Sequence, residues 1–226
     1  MLMSSAALMD GRGLFEILGI NCYICKVMMS MDDVNTLKAA LLYIIKNSEP
    51  NRCDVYGIVK TAFYAQQMHL SSTGSPLFKD EICALPFGPV PSSIYDVLKM
   101  ARGDENEMHF HQADGLLEVS ASIGWEDERF FIKEEPDMDY LSSSDIQSLD
   151  AAIDRVTNMS FNDILSATHG REWERAFKSK KRGKKIMDTL KIAEEGGADD
   201  STLEYLKEYL DTCFTVRTRT LCRMRL

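Results

Sequence analysis

The chain has 226 residues, of which 45% are hydrophobic and 27% are charged, and its formal net charge is −9. This composition is that of an ordinary globular protein, which argues against a disordered chain and against one embedded in a membrane. A chain of this length can bury one full core without disulfides. The negative charge disfavours nonspecific binding of DNA or RNA and favours a basic partner.

The first thirty residues differ from the rest, with many methionines and no clean periodicity. We interpret residues 1–30 as a non-native or disordered leader, with translation starting at a later methionine. Its apolar stretch contains Glu16 and Lys26, so the stretch is predicted to be neither a membrane span nor a signal peptide. The cytoplasm is the expected location, and the six cysteines are expected to be reduced there.

Helical periodicity begins after this leader. The residues from Asp32 onward predict an amphipathic helix with an acidic first turn, which ends before Pro50. Asp54 is in position to cap a second helix that runs to about Leu70. This second helix has a broad apolar face, as expected for a helix at the centre of a bundle.

Extended structure is predicted in two places. Residues 76–91, which include a short apolar alternation at residues 82–84, read as an ordered loop with an extended flank, and Ser92 is expected to cap a short helix after it. The apolar alternation at Leu116–Ser122 and at Glu128–Ile132 predicts a two-stranded hairpin around Gly124. The hairpin is therefore expected near residues 116–132.

Helices resume in the C-terminal half. An acidic, serine-rich linker at Asp137–Ser144 is expected to end in a cap for a helix over Asp145–Val156. Ser160 begins a segment with the spacing of a capping box, and Ser201–Glu204 has the same spacing before the last helix. The predicted fold is mainly α, a compact bundle of six to eight helices with one small antiparallel β-hairpin.

Catalytic signatures are absent from the sequence, which shows no P-loop, dinucleotide fingerprint, HExxH or GxSxG motif. We therefore expect a protein that is not an enzyme and that has no cofactor or catalytic residue. A metal site is a weaker alternative at Cys22 and Cys25, which form a CxxC pair, or at His109 and His111, which share one side of an extended segment. Free thiols and a hydrated turn explain the same residues more simply.

The second helix, from Ile58 to Leu70, resembles the signature helix of the Panacea domain, the family that includes the SocA antitoxin. Further parts of the family pattern follow in the same order along residues 31–177. They are a turn at Gly74–Phe78, a loop at Phe87–Val90, the pair Thr168 and His169, and then Trp173 and Ala176. The resemblance implies a compact helical domain with a small sheet over residues 31–177. Residues 178–226 are then a basic connector and a C-terminal helical extension.

The resemblance also implies the antitoxin of a toxin-antitoxin pair in bacteria or mobile elements, with no activity of its own. We expect it to neutralise a cognate toxin, encoded next to it, by direct protein contact. Two alternatives stay open: an adaptor that delivers the toxin to a protease, and a nucleic-acid-binding regulator that uses the basic run Lys178–Lys185. The sequence leaves the identity of the toxin and the oligomeric state undetermined.

Three places supply candidates for partner binding. In the loop that begins at Phe87, the glycine permits a tight backbone path and the prolines stiffen it, so ordering it on association would cost little. The acidic segment Glu126–Asp139 could steer a basic partner, and Trp173 is either an interface anchor or a core residue. The candidates are Phe87, Gly88, Pro89, Val90, Glu134, Glu135, Asp137 and Trp173.

Overall fold

The structure is a computed structural model that describes residues 29–104, 115–180 and 183–223, with side chains up to Cys213. Nearly all of the predicted leader lies outside these residues, as do the four candidate metal ligands Cys22, Cys25, His109 and His111. The described part of the chain contains nine α-helices and two small antiparallel sheets of two strands each. The predicted fold class, mainly α with a small hairpin, is therefore confirmed.

The helices and strands are numbered in chain order. The helices are α1 (Met31–Asn47), α2 (Val55–Thr73), α3 (Ser92–Arg102), α4 (Leu116–Ala121), α5 (Ser143–Thr157), α6 (Phe161–Thr168), α7 (Arg171–Phe177), α8 (Thr189–Glu195) and α9 (Asp200–Arg223). The strands are β1 (Ile82–Leu85), β2 (Gly88–Pro91), β3 (Ile123–Glu126) and β4 (Arg129–Ile132), and each sheet pairs two consecutive strands. Within the described residues, no helix combines the length and the apolar character needed to cross a membrane.

Helix α2 is the centre of the fold. It packs most extensively against α5 and also contacts β2, α8, α1 and α9. Its buried Gln66 is hydrogen-bonded: the side-chain amide donates to the carbonyl of Phe78 at 3.1 Å and accepts from the backbone N–H groups of Leu77 and Phe78. The residues after the family pattern also enter this core, because Met187, Ile192 and Leu206 are buried.

The helix starts show where local sequence signals hold. Ser30 and Asp33 form a capping box at the start of α1, Asp54 caps α2, and Ser160 caps α6. Helix α5 begins at Ser143 and is capped by Ser142, two residues before the predicted start. The predicted capping box at Ser201 is wrong, because Asp199 accepts the hydrogen bond from Thr202 at 2.8 Å and α9 begins at Asp200.

Two predictions of extended structure need correction. The segment Leu116–Ser122 is not a strand: residues Leu116–Ala121 form the helix α4, and the hairpin begins only at Ile123. Leu116 and Val119 are buried at a helical spacing of three residues, and a short apolar run of this kind fits a helix as well as a strand. The hairpin therefore occupies residues 123–132 rather than 116–132.

The region read as a loop at residues 82–91 is a regular β-hairpin, with Leu85 opposite Gly88 and Ile82 opposite Pro91. Ser92 is the first residue of α3 and does not cap it. The cap comes from a distance, because the Asp80 carboxylate accepts from the backbone N–H of Ser93 at 2.8 Å. Burial raises the pKa of Asp80 to about 7, although these hydrogen bonds act in the opposite direction.

The turn of the β3–β4 hairpin is strained. Asp127 and Glu128 have φ of 49° and 60°, a left-handed conformation that glycine and asparagine adopt far more easily. Replacing Glu128 by glycine should raise the free energy of unfolding by about 0.5 kcal/mol, as measured by chemical denaturation. Glu126→Gly is the control, because the same change inside strand β3 should lower the free energy of unfolding by a similar amount. Equal effects of the two changes would contradict strain at the turn.

Candidate partner-binding site

The β1–β2 hairpin is fixed along its outer edge by the last residue of the basic run and by the two residues after it. The backbone N–H of Ala84 donates to the carbonyl of Lys185 at 2.8 Å, and that of Met187 donates to the carbonyl of Ile82 at 2.8 Å. Cys83 and Ile186 form the bridge between these two bonds. Strand β1 is therefore paired on both sides, and the hairpin cannot swing freely about it.

Lys60 supports the hairpin from beneath. This residue of α2 is only 1% exposed, and its Nζ donates to the carbonyl of Pro89 at 2.8 Å. Burial lowers the pKa of Lys60 to about 7, because an ammonium group is poorly solvated in the interior. The sequence reasoning missed Lys60, since nothing local to the helix indicates a partner 29 residues further along the chain.

Gly88 is required at the point where the hairpin meets this support. Its φ is +100°, and a Cβ at this position would lie 2.8 Å from Lys60 Nζ and 2.8 Å from Thr168 Oγ1. Such distances are shorter than ordinary van der Waals contact. The backbone conformation and the space therefore both select glycine here.

Three rings stack beside the hairpin. His169 and Trp173 lie parallel with their ring centroids 3.6 Å apart, and Trp173 and Phe177 lie nearly parallel with centroids 4.8 Å apart. We call His169, Trp173 and Phe177 the aromatic ladder. The indole Nε1–H of Trp173 donates to the carbonyl of Leu85 at 3.0 Å, so the ladder is attached to the end of β1. The regular spacing of four residues was the signal in the sequence that could have revealed this stacking.

Trp173 therefore has a structural role whether or not it also contacts a partner. Its ring is half-buried, and it touches a neighbouring ring on each side. Phe177, at the outer end of the ladder, is 38% exposed. Burial and the nearby Lys60 charge lower the pKa of His169, so this ring is largely neutral at pH 7.

The four predicted residues of the hairpin differ in their exposure to solvent. Gly88, Pro89 and Val90 are buried in β2, whereas Phe87 at the turn is 65% exposed. Ile186, on the strand-like segment beside β1, is 45% exposed. We call the exposed side chains of Phe87, Phe177 and Ile186 the hairpin surface. Within the predicted loop, Phe87 presents the largest area to a partner, and the other three residues hold the turn in place.

The three acidic candidates lie in another part of the fold, along α1. Glu134 pairs with Lys38 at 2.8 Å, and Glu135 pairs with Lys46. The Lys38 ammonium also lowers the pKa of Glu134 by hydrogen bonding to it. Asp137 accepts a backbone hydrogen bond from Asp139 at 3.1 Å. Two of the three candidate carboxylates are thus partly neutralised within the chain.

The basic run lies next to the hairpin surface because it follows Phe177 directly. Lys178 pairs with Glu174, and the Nζ of Lys184 donates to Ser92 Oγ at 2.7 Å. Lys180 is exposed. Lys181 and Arg182 lie outside the described residues. In the described ranges, no group of three or more His, Cys, Asp or Glu residues is arranged to hold a metal ion.

Several buried polar side-chain atoms have no hydrogen-bond partner among the described residues. They are Arg52 Nε, Tyr56 Oη, Tyr64 Oη and His169 Nε2. The Arg155 guanidinium lies 4.2 Å from the centre of the Tyr64 ring, and Lys60 Nζ lies 5.4 Å from that of Tyr56. Polar groups buried without a hydrogen-bond partner lower stability.

Comparison with protein families identifies the class of the protein. The model of the family described as "Antitoxin SocA-like, Panacea domain" matches residues 58–174, just over half of the chain. The chain belongs to this family, as the sequence resemblance predicted, and the family suggests an antitoxin role. The match runs from α2 to α7 and contains the β1–β2 hairpin, Lys60 and Trp173. Neither the curated proteins nor the solved structures gave a match.

Proposed function

We propose that this protein is a cytoplasmic antitoxin that neutralises a cognate protein toxin by direct binding, without a catalytic step of its own. The observation that carries the proposal is the display of Phe87, 65% exposed, on a hairpin that lies inside the region matched to the antitoxin family. An exposed phenylalanine on a supported turn has the character of an interface anchor, because aromatic residues in ordered surroundings dominate many binding energies.

The rigidity of the hairpin supports this proposal. Strand β1 is paired on both sides, Lys60 holds the carbonyl of Pro89, and Trp173 holds that of Leu85. A surface held in one conformation loses little conformational entropy on association, so more of the contact energy appears as affinity. The proposed contacts are therefore Phe87 directly, and Gly88, Pro89, Val90 and Trp173 through the support that they give.

Co-expression with the product of the adjacent reading frame tests direct neutralisation. We expect the neighbour to arrest growth when expressed alone, and we expect this chain to restore growth and to co-purify with it in a stable complex. Restored growth with no complex and a shortened toxin half-life that depends on a protease would replace direct neutralisation by the adaptor function. A harmless neighbour would overturn the toxin pairing, and a DNA affinity that falls steeply with salt would then favour a regulator.

The acidic segment should contribute to the rate of association. Reversing Glu134, Glu135 and Asp137 to lysine should lower the association rate with a basic toxin by about tenfold at low ionic strength. The dissociation rate should change less, because long-range steering acts before contact. Stopped-flow mixing at several salt concentrations measures the effect.

A matched variant separates local steering from net charge. It makes the same change of charge on α9 at the exposed residues Asp200, Glu204 and Glu208. If the acidic segment faces the partner, the α9 variant should slow association much less than the first variant. Equal rates for the two variants would show that only the net charge of the protein matters.

A further inference from the structure

We propose that the hairpin surface binds an acidic segment of the toxin, with an apolar side chain of that segment placed against Phe87. This inference rests on the proposed function, since it assigns the occupant of the surface to the toxin. For a toxin partner it also reverses the expected sign of charge at this contact, because the sequence had indicated an acidic surface that meets a basic toxin.

The apolar residues of the contact lie on elements that are joined to one another. The Trp173 indole joins the carbonyl of Leu85 to the ring of Phe177, so the hairpin end and the outer end of the aromatic ladder belong to one surface. Ile186 is bridged to Cys83 on the other side of β1. Exposed apolar side chains grouped in this way are typical of interaction sites, whereas isolated ones are common on any protein.

The charged part of the contact is basic. Lys180 and Lys184 are exposed, and Lys178 follows Phe177 at the end of α7. Glu174 and Glu81 lie near these lysines, with Glu81 3.9 Å from the ammonium of Lys184. Lysines around an apolar centre favour carboxylates around the partner's apolar side chain, and they repel a basic partner.

A nucleic acid fits this surface less well than a protein segment. Single strands bind by stacking bases on free aromatic faces, and Trp173 is already covered by His169 on one side and by Phe177 on the other. The net charge of −9 also opposes a polyanion. A second copy of the chain is disfavoured as well, because a two-fold contact would place the same lysines against each other.

Fluorescence anisotropy with the full chain tests the inference on defined probes. The first probe is a labelled peptide with a phenylalanine-leucine centre flanked by aspartates and glutamates. The second has the same centre flanked by lysines, and the third is a labelled oligodeoxythymidine. We expect saturable binding of the acidic peptide, at least about tenfold stronger than that of the other two, and weaker binding at higher salt.

Two variants locate this binding. Phe87→Ser and the pair Lys180→Glu with Lys184→Glu should each weaken binding of the acidic peptide by about tenfold. The matched controls are Leu117→Ser, at a leucine that is 73% exposed on α4, and Lys207→Glu on α9, and both should leave binding unchanged. Thermal unfolding of all variants verifies that they fold. Phe87→Ser should remain folded, because the side chain that it replaces is largely exposed. Equal binding of the basic peptide, preference for the oligonucleotide, or full binding by Phe87→Ser would overturn the inference.

The same variants in the growth assay separate this inference from the proposed function. If they lose the acidic peptide but still neutralise the toxin in a stable complex, the assignment of the occupant to the toxin is wrong and direct neutralisation stands. If the neighbouring product is harmless, the proposed function fails, while the peptide measurements still decide the chemistry of the surface. Loss of both peptide binding and neutralisation, with the controls active, would support both.

Discussion

Replacing Gly88 by alanine should lower the free energy of unfolding by about 3 kcal/mol, because two costs fall on one residue. An alanine at φ of +100° is strained, which costs about 1 to 2 kcal/mol. The added Cβ would also lie 2.8 Å from Lys60 Nζ and from Thr168 Oγ1. Lys60 is 1% exposed and Thr168 is 3% exposed, so neither side chain has free space into which it can move.

Gly103 provides the control for the strain alone. It ends α3 with φ of +82°, and apart from its chain neighbours no atom of the described residues lies within 4 Å of the position of its Cβ. Gly103→Ala should therefore cost only about 1 kcal/mol. Chemical denaturation of both variants at constant m-value measures the difference. Equal costs would show that the space around Gly88 is not limiting, and that the hairpin is less tightly held than the contacts of Lys60 indicate.

The predictions that succeeded depend on residues close together in sequence. The capping box at Ser160 and the cap at Asp54 were predictable because the donor and acceptor groups are three residues apart. The central position of α2 was predictable because its apolar residues cover a broad face of the helix. Membership in the Panacea family was also predictable, since the pattern is distributed over several elements in a fixed order.

Two of the predictions that failed depend on residues far apart in sequence. Ser92 looked like a cap, but Asp80 reaches the same N–H groups from the other end of the hairpin. The apolar run that starts at Leu116 is too short for its period to distinguish helix from strand, and packing against α3 and α1 decides in favour of the helix. Tertiary contact therefore overrides the local signal in both cases.

In the candidate site, too, the features set by neighbouring residues were predictable and those set by distant contacts were not. The sequence selected the hairpin residues as one group, but it could not show that Phe87 is exposed while Val90 is buried. That difference arises from the pairing of β1 with the segment around Ile186 and from the support of Lys60. The same distant contacts bring part of the basic run beside the hairpin. The sequence analysis had treated this run as a separate connector.

Replacing Lys60 by methionine should remove a rise in stability between pH 7 and about 10. Burial lowers the pKa of Lys60 to about 7, whereas a lysine in an unfolded chain titrates near 10.4. Between these values the unfolded chain binds a proton that the folded chain does not, so the free energy of unfolding increases with pH. The full change is on the order of 4 kcal/mol, and the slope approaches about 1.4 kcal/mol per pH unit.

Other groups act outside this window or cancel when the variant is compared with the wild type. The pKa of Asp80, raised to about 7, makes stability fall between about pH 4 and 7, which lies below the window. The pKa of Tyr43, raised to about 12, affects stability only above about pH 10. Urea denaturation at several pH values, compared between wild type and Lys60→Met, therefore isolates the contribution of Lys60.

Lys99→Met is the matched control, because Lys99 is also buried, at 5% exposure, but its ammonium pairs with Asp96 at 2.8 Å. This variant retains Lys60 and should retain the rise in stability with pH. If the rise is lost in Lys60→Met alone, Lys60 is buried beneath the hairpin without a carboxylate partner. Its burial then destabilises the fold at neutral pH. An equal rise in Lys60→Met would mean that Lys60 reaches water, and the hairpin would then lack the fixed support from which its role in binding is inferred.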